Sequence, residues 1–117
     1  MTVVFSGGYT ADAAVTTTPD NTVSRVGTRV QLQCTTDRTQ SPKPITWVRN
    51  PGTDNDYIVN NCQEDSSFPQ YSVASSSTGQ CDLVINNVSL ELAATYRCSD
   101  VETTADANLT VIGELLL

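Results

Sequence analysis

The side chains able to do chemistry in this 117-residue chain are few: four cysteines (Cys34, Cys62, Cys81 and Cys98), thirteen acidic residues, six cations and no histidine. Without histidine or a Cys-x-x-Cys pair, a zinc site has almost nothing to build from. Acid–base and nucleophilic catalysis need a base held beside a nucleophile, and the acidic residues fall mostly in polar turns without a paired arrangement. An enzyme is therefore not expected, and no residue is assigned as catalytic. Asp54-Asn55-Asp56 and Glu64-Asp65 lack the spacing of a calcium loop and read as solvated turns, so neither a metal nor a cofactor is expected. Thiol chemistry remains: four cysteines in so short a chain favour disulfides in an oxidising compartment, and the count leaves three pairings open. Asn87-Val88-Ser89 and Asn108-Leu109-Thr110 are N-glycosylation triplets if the protein is secreted.

The formal charge is −7, with one lysine and five arginines, which makes nucleic acid and anionic membranes poor partners and leaves a basic or neutral protein open. No stretch approaches the length of a membrane helix, and the first eight residues lack the basic start and long apolar core of a secretory signal. Met1 is read as an added start on a mature ectodomain, extracellular or secreted. Only 38% of residues are hydrophobic, while Ser, Thr, Asn and Asp abound, as suits one domain of short strands and polar turns.

The elements that must hold these groups follow from alternation. Val30, Leu32 and Cys34 alternate with Arg29, Gln31 and Gln33, the pattern of a half-buried strand. Trp47 follows with Ile45 and Arg49 on its own face. Cys81, Leu83 and Ile85 share one face of a later strand, and Ala94-Thr95-Tyr96-Arg97-Cys98 forms another. Earlier, 13–18 reads as a strand broken at Pro19, where the chain switches sheets, and 21–26 resumes it before a turn at Gly27. Val3 to Phe5 is a short apolar run ahead of the first strand.

Cys34, Trp47 and Cys98, with Tyr96 two residues before the last cysteine, resemble an immunoglobulin superfamily domain of the variable type. The resemblance implies an all-β, Greek-key sandwich of two antiparallel sheets over 13–112. Residues 1–12 are then a leader or extra pairing segment, and 113–117 a tail. It implies a Cys34–Cys98 staple packed on Trp47, with Tyr96, Leu32, Leu83 and Ile85 in the core, and leaves Cys62 to pair with Cys81. That second bridge ties the C′–C″ region to the start of strand E, near the end of the sandwich carrying the B–C and F–G loops. In the chain-entropy model the shorter loop contributes roughly 3 kcal/mol and the longer roughly 4. The 63 residues between Cys34 and Cys98 leave room for strands C′ (57–60) and C″, which points to the variable type.

Trp47-Val48-Arg49-Asn50-Pro51-Gly52 is similar to the strand C motif of antibody heavy chains. The resemblance puts Val48 on the outward G–F–C–C′ (GFCC′) face, with Asn50 in place of the glutamine that pairs family dimers. Gln70 and Leu92 stand where the family has an arginine–aspartate pair, a double loss that strands no charge. Of the family's joining motif only Leu109-Thr110-Val111 remains, with Thr103, Thr104, Ala105 and Asp106 replacing its Phe-Gly-X-Gly. A rearranged antigen receptor is thus not expected. The chain resembles instead a germline-encoded, antigen-receptor-like variable domain from outside jawed vertebrates.

The functional expectation is a recognition module of an immune-type or cell-surface receptor. It binds a protein, or a second copy of itself, through the GFCC′ face and loops. The candidate residues are Val48, Asn50, Tyr57 and Arg97, with Asp100 and Glu102 at the tip of a short F–G loop, where they cross-pair with Arg97 of a second copy. Asn108 points outward on strand G. The alternative is a structural or spacer domain of a longer adhesion protein.

Overall fold

The computed structural model describes residues 15–39 and 41–113. The expected segment 1–12, the apolar run 3–5, the start of the first strand at 13–14 and the tail after 113 lie outside the described residues.

The described chain forms eleven strands in two layers. One layer is a six-stranded sheet in the order β2 (Thr22–Arg25), β11 (Thr104–Ile112), β10 (Ala94–Ser99), β5 (Thr46–Arg49), β6 (Asp56–Asn60) and β7 (Gln63–Glu64). The other holds β3 (Val30–Leu32), β9 (Asp82–Ile85) and β8 (Tyr71–Ala74), together with the pair β1 (Val15–Thr17) and β4 (Thr35–Thr36). β3 and β4 are parts of one run of chain. Between them the Cys34 carbonyl accepts the Cys81 N–H at 2.9 Å. Neighbours distant in sequence, β3 with β9 and β5 with β10, give the Greek-key arrangement.

Pro19 falls between β1, paired to β4, and β2, which pairs with β11, so the chain changes layers there. The β2–β11 pairing is parallel, whereas the other strand pairings among the described residues are antiparallel. The missing proline N–H explains the break: neither ladder continues through it.

Between the layers lie the side chains of Leu32, Ile45, Trp47, Ile58, Leu83, Ile85 and Tyr96, all at most 1% exposed. Two disulfides join them. Cys34–Cys98 crosses from one layer to the other, and Cys62–Cys81 ties the β6–β7 turn to the start of β9. Trp47 lies opposite Cys98 in the β5–β10 register, and its indole N–H donates to the Cys81 carbonyl at 2.9 Å. A buried indole needs such a partner.

β9 departs from simple alternation. Asp82 and Val84, on its outward face, are buried along with Leu83 and Ile85. Val84 lies in register between Gln31 of β3 and Ser72 of β8. The Asp82 carboxylate accepts the Cys34 N–H (2.9 Å) and the side-chain amides of Gln31 (2.8 Å) and Gln80 (2.9 Å). Three donors offset the cost of burying this carboxylate.

At the opposite end from the disulfide-linked turn, the family's charge pair has an uncharged substitute: Leu92 is buried and Gln70 exposed. A directed relay runs beside them. Arg49 Nη1 donates to the Tyr71 hydroxyl (3.1 Å), which lies 2.9 Å from the Tyr96 hydroxyl. Tyr96 in turn donates to the Leu92 carbonyl at 2.6 Å. Since the one Tyr96 proton goes to Leu92, Tyr71 donates to Tyr96. Burial pushes the Tyr96 phenol far above its ordinary range, so it stays protonated.

Tyr96→Phe leaves the Leu92 carbonyl and the Tyr71 hydroxyl short of a partner. It is expected to lower stability by about 1–3 kcal/mol in urea unfolding with an unchanged denaturant slope. Gly79 (φ 79°) and Gly52 (φ 84°) both adopt left-handed backbone, but a Cβ on Gly79 would collide with the Thr36 carbonyl, whereas Gly52 faces open space. Gly52→Ala should therefore cost about 1–2 kcal/mol and Gly79→Ala clearly more, a difference the same unfolding assay reads.

Candidate functional site

The outward face of the six-stranded sheet carries a straight cross-strand row. Tyr57 on β6 lies opposite Val48 on β5, Val48 opposite Arg97 on β10, and Arg97 opposite Asp106 on β11. Arg97 and Asp106 form a two-pronged ion pair, Nε to Oδ1 at 2.7 Å and Nη2 to Oδ2 at 3.1 Å. The carboxylate raises the guanidinium pKa further. Each side chain of the pair remains about two-fifths exposed, at 39% and 42%. Tyr57 is 57% exposed and provides the aromatic surface of the row. One row along, Thr95 Oγ1 donates to Asn108 Oδ1 at 2.7 Å.

Two expectations for this face are corrected. Val48 points outward yet is only 6% exposed, flanked by Tyr57 and Arg97, so it supports the row more than it contributes surface. Asn50 is not a strand residue. β5 ends at Arg49, and Asn50 adopts left-handed backbone (φ 54°) to open the turn to β6. Its carbonyl accepts the N–H of Thr53 and of Asn55, and its side chain donates to Asp54 at 3.0 Å. Asparagine suits this position because its short amide satisfies the turn locally.

The F–G loop spans 100–103; of its two acidic residues Asp100 faces inward, while Glu102 stays exposed. Asp100 is 8% exposed. Its carboxylate accepts the Thr36 hydroxyl (2.7 Å), Arg38 Nε (3.2 Å) and the N–H of Glu102 (2.8 Å) and Thr103 (3.3 Å). Burial by itself would raise the Asp100 pKa, but these donors outweigh it and hold it below the usual carboxylate range. Glu102 lies 3.4 Å from the same Arg38. Asp100 and Glu102 therefore stiffen the loop through Arg38, and Arg97 is taken by Asp106. The loop presents Val101, 67% exposed, at its tip.

The remaining loops at this end are tied in the same way. The Lys43 ammonium donates to the carbonyls of Ser75 (2.9 Å), Ser77 (2.9 Å) and Gln80 (3.0 Å), joining the loop before β5 to the β8–β9 loop. The Thr36 N–H donates to the Gly79 carbonyl at 2.9 Å. Cys62 and Asn61 form the tight β6–β7 turn with φ of 55° and 51°, a mirror-type hairpin in which the disulfide holds a cysteine where glycine is usual.

The acidic turns are used internally as well. Asp56 pairs with Arg49 (2.9 Å), Glu64 accepts the Val73 N–H (3.1 Å), and Asp65 accepts the Ser67 N–H (2.8 Å). Among the described residues no group of three or more His, Cys, Asp or Glu is placed to hold a metal ion. No helix of the described residues is long and apolar enough to cross a membrane. Asn87 and Asn108 are both exposed.

A family model for the immunoglobulin domain matches residues 14–99. The chain belongs to the immunoglobulin domain family. Solved structures share this fold at low identity. A tandem from titin matches with a TM-score of 0.69 and 16% identity over 87% of this chain, which spans 34% of the tandem's length. Dpr1 IG1 bound to DIP-eta IG1 gives 0.68 and 14%, covering 86% of this chain and 96% of that one. The Ig-like domain of human obscurin-like protein 1 gives 0.70 and 16%, covering 97% of each chain. No curated protein sequence matches the chain.

Sequence reasoning missed Asp106, Thr36, Arg38 and Lys43 as parts of this immunoglobulin domain's site. The signal for Asp106 was present: closing the hairpin at Ser99 and Thr104 puts Arg97 opposite Asp106.

Because its folded-state pKa is depressed, Asp100 contributes stability that is fully present above the unfolded value of about 3.9 and is lost as pH falls through the folded value. The stability gap between wild type and Asp100→Asn should be large at neutral pH and shrink in acid. Urea unfolding at pH 7 and in steps below pH 4 measures it.

Proposed function

We propose that this immunoglobulin domain is the recognition module of an immune-type or cell-surface receptor. It works outside the cell and binds protein through the GFCC′ face, the outward face of β11, β10, β5 and β6, a second copy being the simplest partner. The observation that carries this reading is the two-fifths-exposed Arg97–Asp106 pair on the outward face of the sheet. A two-fold axis beside the pair brings each arginine onto the partner's aspartate, so one patch supplies both halves of the contact. Tyr57 adds the aromatic anchor typical of interfaces. The crystal structure of Dpr1 IG1 bound to DIP-eta IG1 is a case of one immunoglobulin domain meeting another, which supports the class of partner. The variable type is favoured by the two extra strands β6 and β7 between β5 and β8. The origin proposed is a germline-encoded variable-type domain from outside jawed vertebrates. Two disulfides favour an oxidising compartment.

A spacer role in a longer adhesion protein is the second reading. The likeness to a titin tandem and to a domain of human obscurin-like protein 1 favours it.

Sedimentation of unglycosylated, refolded protein separates the two. The recognition reading expects a concentration-dependent dimer that Arg97→Asp and Asp106→Arg each abolish and the double variant restores. Each single variant should still fold, since an exposed pair contributes only about 0.2–1 kcal/mol. A wild type that stays monomeric at high concentration would favour the spacer, and variants that all dimerise alike would overturn the GFCC′ face as the contact.

A further inference from the structure

Asn108 stands two residues from Asp106 on the same face of β11, and it heads the triplet Asn108-Leu109-Thr110. Its side-chain oxygen accepts the Thr95 hydroxyl at 2.7 Å, and its backbone N–H donates to Asn21 Oδ1 at 2.8 Å. Both contacts leave the amide nitrogen Nδ2 unused. Leu109, the middle residue of the triplet, is 3% exposed and points into the core, while Asn108 and Thr110 are exposed on the outer face.

We propose that Asn108 is an N-glycan acceptor and that its glycan closes the GFCC′ face to a second copy, so that occupancy of this side chain selects between monomer and dimer. The inference rests on the self-pairing reading above and names its regulation. In the modification, Nδ2 displaces a lipid-linked pyrophosphate from C1 of an oligosaccharide. One N–C bond forms, the C–O bond to pyrophosphate breaks, and one Nδ2 proton is lost to a base of the transferring enzyme. The modified nitrogen retains an N–H, and Oδ1 keeps its Thr95 contact.

Distances decide that such a glycan cannot be avoided. Two residues along a strand span about 7 Å. A stable contact takes about 800 Å² from each partner, a patch about 16 Å in radius. Any such patch centred on Arg97–Asp106 therefore contains Asn108, and a sugar standing on the outer face there occupies the partner's place. Asn87 provides a control within the same molecule. It lies after β9 in the other layer, beside the turn where the Gly27 N–H donates to the Val88 carbonyl at 2.7 Å. A glycan at Asn87 leaves the GFCC′ face clear.

The test uses the chain secreted from a eukaryotic host as wild type, Thr110→Ala and Asn87→Gln, with Asn108→Gln as an independent second variant. Glycopeptide mass spectrometry reads occupancy, and sedimentation over a concentration series reads assembly. The proposal expects a glycan on Asn108 in wild type, a monomeric wild type and Asn87→Gln, and dimers of both Thr110→Ala and Asn108→Gln. A bare Asn108 in wild type overturns the acceptor assignment; if that protein dimerises, the self-pairing reading stands. A glycosylated wild type that dimerises overturns the gating. An occupied wild type, with Thr110→Ala and Asn108→Gln folded but monomeric, overturns the gating and the self-pairing reading together.

Discussion

The buried indole N–H of Trp47 holds the structure's two halves to one geometry. Its acceptor is the Cys81 carbonyl, and Cys81 also donates its own N–H to the Cys34 carbonyl and bonds Cys62 through sulfur. Cys34 in turn bonds Cys98, which lies opposite Trp47 in the sheet. Core and loop end are thus joined through a single residue on each side. A shift of Trp47 would disturb both disulfides, and an interior packed this closely has little room to absorb one.

Much of the fold was legible because several residues make strict demands. Cys34, Trp47, Tyr96 and Cys98 each require a particular neighbour, and once they are assigned the remaining cysteines have only each other. Parity along a strand was less informative about the face. It gives the direction of Val48 but not its coverage, which depends on how far Tyr57 and Arg97 reach across the sheet. Asn50 was misread because a family register was carried through Asn-Pro-Gly, where local turn chemistry ends the strand first. The acidic tip of the F–G loop drew attention to Asp100 and Glu102 as partners for Arg97. Yet unpaired backbone N–H groups at a tight hairpin recruit the nearest carboxylate, and Asp100 turned inward to meet them.

Net charge describes this domain poorly. Against a formal −7, three of the six cations, Arg38, Arg49 and Arg97, are committed to ion pairs, and Lys43 is enclosed by carbonyls. Arg25 and Arg29 are the exposed cations without an ion pair among the described residues, and both flank the turn between β2 and β3. Positive charge is spent on architecture, and the acidity in excess of it stays on the surface. A partner would meet local pairs such as Arg97–Asp106 rather than an average field.

Lys43 is the chain's only lysine. All three ammonium protons are directed at carbonyls of one loop. An acyl group placed on that nitrogen would remove its charge and two of its donors, releasing the β8–β9 loop from the loop before β5. Amine-directed coupling, the usual means of tethering a protein to a surface or a dye, is therefore not a neutral handle here. On the side chains of this domain it would act at the point where two loops are fastened together.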